Sequence, residues 1–85
     1  MGLDSVRLIL DVEREFGIEI PDAEAAELTT PGGLHASILR HLGDAEASEA
    51  ASTWERLVRV FVEEHGVPRE RVNPDAQIVA ELGID

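Results

Sequence analysis

The chain contains no cysteine, which excludes disulfides and thiolate metal sites and leaves the redox compartment open. It contains no lysine either. All seven basic residues are arginines, set against 18 Asp and Glu for a net charge of −11. Such a surface repels a phosphate backbone, so nucleic acid is not an expected partner, whereas basic patches on other proteins are attracted. No apolar run approaches the roughly 20 residues that cross a bilayer, and no charged-then-apolar leader opens the chain. Neither a membrane nor secretion is expected, and the cytoplasm is the expected location. "MGLDSV" superficially matches a myristoylation start, but Val6 stands where Ser or Thr is needed.

Chemistry-bearing patterns are equally scarce. His35, His41 and His65 are the only imidazoles, and none has a Ser partner at a diagnostic spacing. Gly32-Gly33 opens a helix and is no phosphate loop, and no run of alternating acids resembles a calcium loop. His35 and His41 are expected on the outer face of their helix, and His65 in a last helical turn where positive charge is favoured. No catalytic or metal-binding residue is nominated, and an enzyme is not expected.

What the chain has is helical periodicity, over 85 residues that suit a single domain. A first helix is predicted from Leu3 to Phe16, stopping at Gly17. Leu3, Val6, Leu8, Ile9, Leu10, Val12 and Phe16 cover well over half its wheel, and Asp4, Arg7, Asp11, Arg14 and Glu15 fill the rest. So wide an apolar face implies contact with several neighbours, or a core side plus an exposed apolar strip, and the two are compatible. Pro21 keeps Ile20 extended, and Asp22 is expected to cap a brief helix from Ala23 to Leu28. Thr30 and Pro31 start the next helix, with Leu34, Ile38, Leu39 and Leu42 as its buried stripe and Gly43 as its end. Asp44 to Ser52, without a large apolar residue, reads as a linker, partly helical at most. Ser52-Thr53-Trp54-Glu55 matches a capping box, and Trp54, Leu57, Val58 and Phe61 continue a core stripe to Gly66. A long Pro-containing loop follows, with Val67, Val72 and Ile78 as anchors. The prediction is an all-α four-helix bundle, three helices longer and one short, with a long structured loop.

Two segments carry a family resemblance. "LDSVRLILDVEREFGIEIPDAEAAELTT", Leu3 to Thr30, resembles the central segment of an acyl carrier protein. "TWERLVRVFVEEHGVPRERVNPDAQIVAELGID", Thr53 to Asp85, is similar to the start of the same family, ending in the Leu-Gly-x-Asp that precedes the modified serine. They stand in reverse order. The chain therefore resembles a circularly permuted acyl carrier protein, opened at the family's functional site, with residues 44–52 joining the family's original termini. About ten extended residues reach at most about 33–36 Å, enough to bridge a small domain.

The resemblance implies a 4'-phosphopantetheine arm on a serine, and two registers compete for it. Reading "GLDSV" as the family's attachment motif makes Ser5 the site. An ungapped match through Leu3 to Thr30 puts Gly2 there instead, where no hydroxyl exists and no cofactor is held. The ungapped register is the better supported, because Ser5 heads the apolar stripe and its hydroxyl is expected to face packed neighbours. The resemblance also implies a docking surface for basic patches on carrier-dependent fatty-acid or polyketide-type enzymes. Leu3, Asp4, Val6, Leu10, Glu13, Glu15, Ile20 and Asp22 match it, while Arg7 and Arg14 depart from it. The favoured reading is a monomeric docking module without an arm. The alternatives are a working carrier modified on Ser5, and a fragment of a tandem array or a self-associating subunit in which Thr53–Asp85 of one chain completes Leu3–Leu42 of another, as a domain-swapped dimer.

Overall fold

A computed structural model describes residues 2–43 and 50–85; the predicted linker falls largely outside them. Among the described residues there are four helices and no strand. Helix α1 spans Leu3–Phe16, α2 Asp22–Ala25, α3 Pro31–Leu42 and α4 Ala50–Arg59. Helix α4 runs on into a π-helical turn over Val60–Glu64, and a single 3₁₀ turn follows at Arg69–Arg71. Helix α1 packs against the π turn and α3 against α4. Leu8, Val12 and Phe16 of α1 meet Leu34 and Ile38 of α3 and Leu57, Val58 and Phe61 of the last helix in one core, closed by Val67, Val72, Ile78 and Ile84 from the loop.

Local signals explain most helix ends. Thr30 Oγ1 accepts the Gly33 N–H at 3.0 Å, and Pro31 occupies the first turn, where its missing N–H costs nothing. Gly17 takes a left-handed conformation, φ 66°, that returns its N–H to the Glu13 carbonyl.

Three expectations are corrected. The short helix begins at Asp22 itself, with Pro21 at the cap and no side-chain capping bond, and it ends at Ala25. Ser52 lies inside α4, which already runs at Ala50, so the apparent capping box is helix interior; Ala50 and Ala51 are strong helix formers and carry the helix upstream of it. His35 is only half exposed: its ring meets Trp54 edge-on at 5.4 Å, and its Nε2 lies 3.1 Å from the Ala50 carbonyl.

Candidate functional site

The two ends of the described chain meet at the start of α1. Gly2 is extended, φ −79° and ψ 173°, and supplies no side-chain cap. The Asp85 main-chain oxygen accepts instead, from the Asp4 N–H at 2.8 Å and the Ser5 N–H at 3.2 Å; the Val6 N–H then bonds Gly2 in the helix's own ladder. In an α-helix the amide of residue 5 bonds the carbonyl of residue 1. Asp85 fills that place. The approach is so close that a Cβ on Gly2 would overlap the Asp85 main-chain carbonyl. Ser5, half-buried, turns its hydroxyl inward and donates to the Ile84 carbonyl at 3.2 Å.

A cavity of about 300 Å³ lies behind this junction. Leu8 and Ile9 of α1, Ala25 and Leu28, and Ile78 and Val79 of the loop line it, with Gly2, Ser5 and Asp85 also in its wall. On the opposite side of α1, Leu3 is 88% exposed and Leu10 56%, with Val6 also at the surface. Their i, i+3, i+7 spacing sets them in one stripe.

The residues expected to form a docking surface are divided. Leu3, Asp4, Val6, Leu10 and Asp22 are exposed, and Val6, Leu10, Glu13 and Asp22 border one hollow of about 70 Å³. The Glu13 carboxylate is engaged, accepting the Ile20 N–H at 2.7 Å. Glu15 accepts from Arg56 Nε at 3.0 Å, and the Arg56 guanidinium covers the Phe16 ring at 4.5 Å. Ile20 is 4% exposed and belongs to the core.

A buried ionic cluster escaped the sequence reading, which placed Asp11 in the solvent arc of α1. Asp11 is 6% exposed. Its Oδ2 lies 3.0 Å from Nε2 of His65, whose side chain is 7% exposed, and its Oδ1 accepts from Arg14 at 2.6 Å. Arg7 Nε stands 3.9 Å away. Arg7 and Arg14 thus both turn toward Asp11. The signal available in sequence was Asp11 flanked by arginines at i−4 and i+3; nothing local pointed to His65, 54 residues on. A second cluster joins α2 to α3. Glu24 accepts from the Ser37 hydroxyl and lies 3.1 Å from His41 Nε2 and 3.8 Å from Arg40. The Ser37 hydrogen bond, reinforced by His41 and Arg40 against partial desolvation, holds the Glu24 carboxyl below its ordinary value of 4.5.

Among the described residues no three His, Asp or Glu side chains gather as a metal site, and no helix is long and apolar enough to cross a membrane. No family model matches the chain, and no solved structure matches it. A stretch of 29 residues, 34% of this chain, is 64% identical to the acyl carrier protein of Thermosynechococcus vestitus, and it spans about a third (36%) of that relative's length.

Proposed function

We propose that the protein is an acyl-carrier-like docking module, circularly permuted and lacking the covalent arm. One observation carries this reading: Asp85 occupies the position before Gly2 in the hydrogen-bond ladder of α1. That is the neighbourhood expected if the Leu-Gly-x-Asp end once led directly into this helix. The residue at the resulting attachment position is then Gly2, which has no oxygen for a phosphodiester. The identity to an acyl carrier protein over part of the chain supports the family side of the reading. The inward hydrogen bond of Ser5 supports Gly2 over Ser5 as the family's attachment position, because a transferase needs an outward hydroxyl.

Partner binding is assigned to the exposed stripe Leu3, Val6 and Leu10 with Asp4 and Asp22 beside it. The net charge of −11 draws basic surfaces of carrier-dependent enzymes toward the molecule. Glu13 and Glu15 contribute field more than direct contact, since their carboxylates are already engaged.

Intact mass after incubation with coenzyme A and a broad-specificity phosphopantetheinyl transferase tests the reading. The expected result is an unchanged mass. A gain of one phosphopantetheine group that disappears in Ser5→Ala overturns it and makes the protein a working carrier.

A further inference from the structure

We infer that residues Gln77–Asp85 form a strap that opens and closes over the cavity as one body, and that Ser5 and Asp85 are its latch. The strap and its latch are independent of whether the chain is carrier-like.

The strap is internally bonded. The Glu81 and Leu82 N–H groups donate to Gln77, Gly83 to Val79 and Ile84 to Ile78, at 2.8–3.2 Å, and the Glu81 carboxylate accepts the Gln77 N–H at 3.0 Å. Gly83, at φ 71°, ends the turn in the left-handed conformation that lets the Ile84 N–H reach back. Such a unit resists bending and moves as a piece.

Its polar attachments to the rest of the described chain sit at its two ends. At one end the Ile78 N–H donates to the Thr29 carbonyl at 2.9 Å. At the other, the Ile84 and Asp85 carbonyls accept from Ser5 Oγ, Ser5 N–H and Asp4 N–H. The strap residues Ile78, Val79 and Asp85 wall the cavity of about 300 Å³, while Ile78 and Ile84 plug into the core. Releasing the latch therefore exposes two α1 amides, unplugs Ile84 and opens the cavity in one event. Gly2 brings no side-chain cap, so among the described residues Asp85 alone serves these two amides. Strap opening and fraying of α1 are the same transition.

Amide hydrogen exchange, read by NMR on the whole chain, tests the coupling. In the wild type, the Asp4, Ser5 and Ile78 amides, whose bonds cross between the strap and the rest of the chain, should share one opening free energy and one urea dependence, both lower than those of core amides such as Val12. Ser5→Ala removes the side-chain half of the latch and should speed all three by about fivefold to tenfold, the loss of roughly one net hydrogen bond. Gly2→Ala, whose Cβ displaces the Asp85 carbonyl, should do the same from the opposite side. If Ser5→Ala accelerates only Asp4 and Ser5 and leaves Ile78 protected, the strap does not move as one body. Different urea dependences for the two ends in the wild type would by themselves exclude a single moving body, even if both variants misfold.

Discussion

Asp11 and His65 face each other on α1 and the last helix, each with less than a tenth of its side chain exposed. A carboxylate in that position is tolerated because His65 and Arg14 satisfy one oxygen each. Removing one member should therefore hurt more than removing both. His65→Leu leaves Asp11 buried with Arg14 and Arg7 only, and should cost about 1–3 kcal/mol in urea denaturation. Asp11→Ala strands the imidazole and frees Arg14, at about 2 kcal/mol or more. The double variant Asp11→Ala/His65→Leu replaces the pair by apolar neighbours and should return to within about 1 kcal/mol of the wild type. Additive losses in the double variant would mean that the two residues act independently. This pair also marks where sequence reading stops. The period of α1 put Asp11 in the polar arc with Arg7 and Arg14, and its burial against the distant His65 overturns that placement. Ser5 was different: it heads the stripe of Leu8, Val12 and Phe16 on the core side of the helix, so its inward turn was legible.

Elements whose limits rest on side-chain or glycine caps were legible where nothing competed. Thr30-Pro31 starts α3 and Gly17 stops α1 as their chemistry requires. The pattern at Ser52 failed because alanine upstream makes the capping box redundant. The π turn at Val60–Glu64 had no signal that a 3.6-residue period could reveal. Helix α2, only Asp22–Ala25, is too short to stand by itself, and Glu24 ties it to Ser37, His41 and Arg40 of α3. Folding lowers the pKa of Glu24 from 4.5, so the folded state releases this proton more readily than the unfolded chain does. The stabilisation is present in full above 4.5 and is lost as pH falls below that value through the lower folded one. Stability measured across this acid range should fall more steeply for wild type than for Glu24→Gln, and the amides of α2 should lose protection first. Equal slopes for the two proteins would show that the clamp carries no proton linkage.

The whole molecule is small, with a radius of gyration of 11.7 Å, and its architecture brings residues 2 and 85 together at one helix start. Main-chain bonds from Asp4 and Ser5 hold Asp85 beside Gly2, a meeting of residues distant in sequence that no local propensity could have produced. On the permuted reading, a chain in the family's order should fold as well as this one. Such a chain starts at Ser48, joins Asp85 directly to Gly2 without Met1, and ends at Ala47. Its amide spectrum should match that of the present chain away from the two junctions, since rearrangements at neighbouring ends are commonly tolerated. The effect of a serine at position 2 should then differ between the two orders. In the present chain Gly2→Ser drives a Cβ into the Asp85 carbonyl and loosens the strap. In the rejoined chain Asp85 is the covalent neighbour of position 2, the overlap disappears, and the new hydroxyl begins an intact helix. Incubation with coenzyme A and a transferase should add one phosphopantetheine group to the rejoined Gly2→Ser protein and none to its Gly2 parent. A rejoined chain that fails to fold, or a folded serine variant that is never labelled, removes the support for reading this junction as a carrier's attachment site.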